Sequence, residues 1–290
     1  MKLVKVVVGI VFASLAYVFG VIVMGMLSPA LHLPPIKEVP GRTPQELLLL
    51  LVVCSPLLAV GLLPLAMGIK GNWVQRSLAI AALVYVTLGL NTLLELSIFS
   101  TLLEGSPLFA SVQWILPALL MAAALTWRFR TSVAGPAVLG DFGINWTWRL
   151  GLAWLLFPVI YFLFGMCVGP FVAPYYNGHD VLGLKIPGFG TIIRMQLLRS
   201  AIFLAASLPA IVLWAKSRRS LFFALGLAHA MTVGIFQLAQ AWFLPMTLRV
   251  AHSLEITADS FAYAAVLTIL LTRSKKTIQP ALQGTAAAAD

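Results

Sequence analysis

Glu95 lies in an apolar stretch, Gly89-Leu90-Asn91-Thr92-Leu93-Leu94-Glu95, with Asn91 one helical turn before it. A step of four residues puts both side chains on one face of a helix. A carboxylate among apolar neighbours is costly unless it meets water or a partner, so that face is expected to point into a bundle. There Glu95 would carry a proton or bind a cation, and amides would orient a substrate. The plainer reading is interhelical hydrogen bonding, with the amides as packing glue. Gln237 and Gln240, three residues apart further along the chain, offer the matching polar face.

Near the C-terminus His252, Glu255 and Asp259 fall at i, i+3 and i+7, one helical stripe, and Arg194, Gln196 and Arg199 are expected at the same depth. Carboxylates facing arginines describe an ion-pair network, a site for an anionic headgroup or substrate, or the solvated end of a helix. His32 and His179 fall in loops on that side, so imidazoles with Glu255 and Asp259 could bind a divalent metal. No HExxH or other short ligand spacing holds them together. His229, in Gly226-Leu227-Ala228-His229-Ala230-Met231-Thr232, has small neighbours that permit close helix approach. It acts as a general base only beside a carboxylate or nucleophile, and is otherwise a bundle histidine satisfied by one or two hydrogen bonds. Cys54 and Cys167 sit in apolar runs with no second cysteine near, which points to neither a disulfide framework nor a thiolate metal site.

What must position these groups is a chain for lipid. Of its 290 residues 61% are hydrophobic and 10% charged, and the mean hydropathy is +0.99. A soluble domain has no way to hide so much apolar surface. Runs of roughly 20 apolar residues span a bilayer as helices. Eight are predicted, at 4–27, 46–69, 77–101, 106–127, 150–170, 193–215, 219–243 and 254–272. The expected fold is therefore an all-α polytopic bundle. The net charge of +10 resides at span ends, with no basic run beside a stacking surface, so nucleic acid is not an expected partner. Lys2, Lys5, Lys70, Arg76, Arg128, Arg149 and the clusters at 216–219 and 273–276 fall on one side. Lys37, Arg42, Lys185, Arg194, Arg199 and Arg249 fall on the other. This asymmetry predicts cytoplasmic termini in a bacterial inner or plasma membrane. Trp127, Trp146 and Trp148 are expected as anchors in the headgroup zone. Pro29 and Pro174 are expected to end the first and fifth spans, and Pro56, Pro64, Pro117, Pro158 and Pro209 to kink or break others.

The chain resembles itself at a shift of 145 residues. Val18–Pro29, VFGVIVMGMLSP, aligns with Leu163–Pro174, LFGMCVGPFVAP, and Ala79, Thr87, Gly89 and Leu93 align with Ala224, Thr232, Gly234 and Leu238. Several blocks in the same order at nearly one shift describe a duplication. The units would be 1–128 and 149–276, four spans each, joined by a linker at 129–148 and followed by a tail at 277–290. Four spans return to the starting side, so the repeats would be parallel, related by a pseudo-twofold along the membrane normal. A repeat partner that lies mid-chain also argues that the first span is no cleaved signal peptide. Glu95 aligns with Gln240, where polarity is kept and charge is lost.

Phe222–Ala230, FFALGLAHA, resembles the histidine-bearing span of the intramembrane CAAX-type proteases, also eight-span proteins of about this size. That family pairs the histidine with a double glutamate, a downstream arginine and a second histidine four residues before Asn or Asp. Here Glu46 stands alone and His252 is followed four residues later by Ile256. The catalytic set is missing, and none of its roles is carried over.

Three functions follow as expectations. The first is a transporter or permease for a small molecule or ion, with pseudo-symmetric halves around Asn91, Glu95, Gln237 and Gln240, and with Arg199 and His229 as further binding candidates. The second is a membrane-embedded enzyme, possible metal included, acting on a lipid or peptide at the outer leaflet with His252, Glu255 and Asp259. The third is a non-catalytic assembly subunit, for which an occluded and fully paired interior is the expected mark. No cofactor is indicated by any motif.

Overall fold

Helix starts are set by polar residues between the apolar runs. Thr43 accepts from the Glu46 amide at 3.2 Å while Glu46 Oε2 accepts from the Thr43 amide at 3.0 Å, a capping box with Pro44 at the first helical position. Asn72 and Gln75 form a second box, and Ser217 caps at the amide of Ser220. Glu46 is thereby occupied as a cap. Between the first box's helix and the second, Gly71 takes φ +117°, a turn that a side chain would strain.

The computed structural model describes residues 3–34, 43–103, 105–129, 144–176 and 183–272. Eight helices are long and apolar enough to cross a membrane: α1 Leu3–Leu27, α2 Pro44–Gly68, α3 Trp73–Phe99, α4 Pro107–Arg128, α5 Trp146–Tyr176, α6 Phe189–Val212, α7 Arg218–Gln240 and α8 Met246–Leu271. Among the described residues no strand forms beyond isolated bridge pairing. His179, most of the 129–148 linker and the 277–290 tail lie outside the described residues.

Helices α2, α3, α6 and α7 make the centre, α1 and α4 pack on one side of it, and α5 and α8 on the other. The core runs through all of these, from Leu58, Leu62 and Leu65 to Leu83, Met121, Leu225 and Leu267, each fully or almost fully buried. Where α2 meets α6, Ile69 and Trp214 form an antiparallel bridge, with the Lys70 amide donating to Leu213 O at 2.7 Å and the Ala215 amide to Gly68 O at 3.1 Å. Deeper in, Thr87 Oγ1 donates to Thr232 Oγ1 at 2.7 Å, and Gln237 Nε2 donates to Thr92 Oγ1. The partners in each of these three pairs stand 145 residues apart.

Basic side chains at the Ile69–Trp214 end of the bundle hold carbonyls rather than solvent. Arg76, 3% exposed, donates to Ala66 O and Phe129 O at 2.6 Å each, tying the C-terminal ends of α2 and α4. Arg218 and Arg149 do the same for α8 through Thr268 O and Leu270 O. A cation there also meets the negative end of the helix dipole.

Three expectations require correction. The helices run on through Pro56, Pro64, Pro158, Pro170, Pro174 and Pro209, so Pro174 does not end α5, which continues to Tyr176. Pro117 sits in the first turn of an α-helical segment, where a missing amide costs little. Regular winding is interrupted in α4 by a 3-10 turn at Ser111–Trp114, just before Pro117, and elsewhere by proline-free π-helical turns, Tyr85–Leu90 in α3 and Met231–Ile235 in α7, which pack on each other. Second, α8 starts at Met246 rather than 254, because the polar residues there face an interior cavity instead of ending the span. Third, Trp127 and Trp148 are about half exposed, as anchors require, but Trp146 is buried in the core.

The α2–α6 crossing has no spare room. A Cβ at Gly68 would come within 2.0 Å of the Trp214 ring, which is fixed by its Nε1 donating to Ser217 O at 3.0 Å. Gly68→Ala is expected to destabilise the protein by roughly 1–3 kcal/mol through overpacking. Thermal unfolding in detergent checks this, with Gly25→Ala as control, since a Cβ at Gly25 meets nothing within 4 Å.

Candidate functional site

The two constellations that the sequence separates meet at one guanidinium. Arg199 on α6 is 4% exposed; its Nη2 lies 2.7 Å from Glu95 Oε1, its Nε donates to Asn91 Oδ1 at 2.7 Å and its Nη1 to Gln196 Oε1 at 3.1 Å. Asn91 and Glu95, one turn apart on α3, thus share a cation, as their common face anticipates. The rings of Phe157, Tyr161 and Phe203 surround the guanidinium at 5.7 to 5.9 Å from their centroids. Planar, weakly hydrated guanidinium suits such a dry, aromatic site better than an ammonium would.

Glu95 opens onto a cavity of about 380 Å³ bounded by α3, α5, α6, α7 and α8. The α8 stripe His252, Glu255 and Asp259 lines it and extends to Tyr263, four residues on. His252 Nδ1 lies 2.8 Å from Glu255 Oε2, a contact that orients the imidazole. Gln237 and His229 line it from α7, and Tyr161 and Tyr176 from α5. His229 is 1% exposed, with Nε2 at 3.1 Å from Ser207 Oγ and its ring stacked on Tyr263. Among the described residues Asp259 Oδ1 and His229 Nδ1 have no hydrogen-bond partner, and the Tyr263 hydroxyl interacts with Ser200.

Gln240 does not line the cavity. The wall on α7 is built from Val233, Gly234, Gln237, Leu238 and Ala241, and Gln240 falls off that face and donates to Phe236 O of its own helix at 3.1 Å. Arg194 is exposed and donates to Gly190 O at 3.2 Å, also within its own helix. His32 sits in a left-handed turn after α1, φ 51°, and is exposed rather than near the stripe. The metal reading of His252, Glu255 and Asp259 is not carried either. Among the described residues no three His, Cys, Asp or Glu side chains converge on one point. A stripe over i to i+7 rises about 10 Å along the helix, too far for one ion without ligands from another element.

Sequence reasoning missed the aromatic wall. Phe157, Tyr161, Tyr176 and Phe203 sit in runs so rich in apolar residues that no spacing sets them apart, whereas Tyr263 continues the 252, 255, 259 stripe by one more turn and was legible. Chemically the site offers a buried ion pair, two further carboxylates, an imidazole oriented by one of them, and apolar walls. Comparison of the chain with protein-family models, curated proteins and solved structures gives no match.

Proposed function

We propose that this chain is a membrane transporter or permease, built as two tandem four-helix repeats around the cavity, with both termini in the cytoplasm of a bacterial inner or plasma membrane. The observation that carries the reading is the Glu95–Arg199 pair at 2.7 Å, buried on the arginine side and open to a cavity on the other. Charges at membrane depth are expensive, and a pair facing a cavity is the usual mark of a solute or proton pathway. The duplication is supported by the contacts across the centre: Ile69 with Trp214, Thr87 with Thr232 and Thr92 with Gln237, all at the same 145-residue offset. The two π-turns follow the same offset to within a residue. A cavity with polar atoms left unpaired argues against a purely structural subunit.

Reconstituted into liposomes under an imposed proton gradient, the protein is expected to move a solute at a rate that varies with pH. Glu95→Gln is expected to abolish that pH dependence and leave insertion and folding near normal, because an amide oxygen still accepts from Arg199. Unaltered uptake and pH response in Glu95→Gln would remove its role as the proton or cation site.

A second reading has its own observation. The His252–Glu255 contact of 2.8 Å at the cavity wall is the carboxylate–imidazole arrangement of a general base, and fits an enzyme acting on a lipid or peptide from the outer leaflet. Release of a cleaved product from labelled lipids or peptides, lost in His252→Gln, would favour this reading over transport.

A further inference from the structure

Among the residues that line the cavity, Asp259 Oδ1 and His229 Nδ1 are left without a partner, while the unpaired amide donors Asn91 Nδ2 and Gln196 Nε2 belong to residues bonded to Arg199 that do not line it. Ser207 Oγ donates to Phe203 O at 2.8 Å, which uses its single proton. With that proton on the shorter contact to Phe203 O, Ser207 accepts from His229 Nε2–H at 3.1 Å, which is the tautomer the inference uses. With the ring uncharged, Nδ1 is a bare acceptor, buried, with no donor from the protein. Asp259 Oδ1, on the neighbouring helix, is a second acceptor without a donor. The two are linked through Tyr263, which stacks on His229 with centroids 6.3 Å apart and lies one turn from Asp259 on α8. Its hydroxyl, which interacts with Ser200, can give or take a proton.

The positive charge at the cavity wall is already partnered. Arg199 spends an N–H on each of Glu95, Asn91 and Gln196, and its faces lie against three rings. His252 is held by Glu255. The cavity therefore presents three carboxylates, Glu95, Glu255 and Asp259, against one arginine committed to its partners. The remaining walls are apolar, with Leu96, Phe99, Phe243, Leu248 and Ile256 among them. Leaving a buried acceptor unpaired costs free energy, and a ligand that brings N–H groups recovers it.

We infer that the cavity binds a protonated amine with an apolar body, its ammonium donating to Asp259 Oδ1 and His229 Nδ1 beside the Glu95 carboxylate, and its hydrocarbon part against Phe99, Phe243 and Leu248. A carboxylate ligand would bring no donor to these acceptors and would face the Glu95, Glu255 and Asp259 side chains. A quaternary ammonium carries the charge but no N–H, and would leave both acceptors unpaired. A volume of about 380 Å³ lies in the range of small-ligand sites and admits a phenethyl-sized molecule. The inference rests on the transport reading only for the amine being cargo; its binding stands separately.

Calorimetric titration of the protein in lipid nanodiscs, with empty nanodiscs as blank, compares three probes: phenethylammonium, phenethyltrimethylammonium and 3-phenylpropionate. Phenethylammonium is expected to bind saturably, about tenfold or more tighter than its trimethyl analogue, with no saturable heat from the carboxylate. Asp259→Asn and His229→Phe are each expected to weaken phenethylammonium by about tenfold. Absence of saturable binding by the primary ammonium, equal or tighter binding of the carboxylate, or unchanged affinity in both variants would overturn the inference. If Asp259→Asn does not purify folded, His229→Phe and the probe series decide alone. Liposome uptake separates the two ideas: amine binding without uptake retires transport and keeps the amine site, while uptake of another solute without amine binding retires the amine site and keeps transport.

Discussion

Arg199→Met is expected to abolish uptake and to destabilise the protein by about 3 kcal/mol, read as a fall in the thermal unfolding midpoint in detergent. The guanidinium holds Glu95, Asn91 and Gln196 together, and its loss leaves Glu95 Oε1, Asn91 Oδ1 and Gln196 Oε1 without their donor. Breaking a buried pair by removing one partner costs roughly 3–5 kcal/mol, because the other charge stays behind. Glu95 is 36% exposed towards the cavity, which places the cost at the lower end. Methionine keeps much of the packing against Phe157 and Phe203, so the loss reads charge and hydrogen bonding rather than a void. Combining Arg199→Met with Glu95→Gln removes both charges and is expected to recover most of the stability but none of the uptake. That non-additivity is the signature of a coupled pair. Arg199→Lys is expected to fold and to fail in uptake, since one ammonium on a flexible stem cannot hold three partners in a plane. Uptake intact in Arg199→Met, or a double variant as unstable as the two losses summed, would show that Arg199 is packing alone.

The legible part of this protein is what one helix can encode. Composition and run length specify a helical bundle, and a four-residue step places Asn91 and Glu95 on one face, which they keep. The stripe at 252, 255 and 259 likewise lines one wall. What a single chain does not encode is which stripes meet. Arg199 is legible as a binding candidate level with the α8 stripe, but nothing in the sequence says that its partners are Glu95 and Asn91 on α3. The Glu95 to Gln240 alignment sends attention to the wrong amide. Gln237, three residues earlier, crosses the centre to Thr92, while Gln240, about 60° round the helix, sits just off the lining face and bonds back to Phe236 O. Proline misleads for a related reason. A missing amide frees one carbonyl, and a long helix absorbs that without ending, so α5 carries Pro158, Pro170 and Pro174 and continues.

Locking the centre of the bundle is expected to stop transport without emptying the site. Thr87 and Thr232 hydroxyls lie 2.7 Å apart where the π-turns of α3 and α7 pack, on the contact between the halves. With Cys54→Ala and Cys167→Ser as background, Thr87→Cys with Thr232→Cys puts two thiols there, and a membrane-permeant oxidant is expected to join them. A π-turn carries one residue more than the α-helical register and can pass along the helix or relax into it, which makes this pair of turns the natural place for one half to move against the other. The cavity borders the α7 turn at Val233 and Gly234 and extends past it to Thr92 and Glu95 on α3 and Gln237 on α7, while Thr87 and Thr232 themselves do not line it. Cross-linking there should leave phenethylammonium affinity within about twofold, since neither substituted residue lines the cavity, and reduce uptake by about tenfold or more, since a change of access requires a second arrangement of the halves. Uptake should return on reduction, and mass spectrometry of the oxidised sample fixes the fraction cross-linked. A rigid enzyme built on His252 and Glu255 behaves differently: its turnover survives the bond. Uptake at the wild-type rate in fully cross-linked protein would mean that the halves do not move at this contact, and the alternating arrangement of two repeats would have to be abandoned.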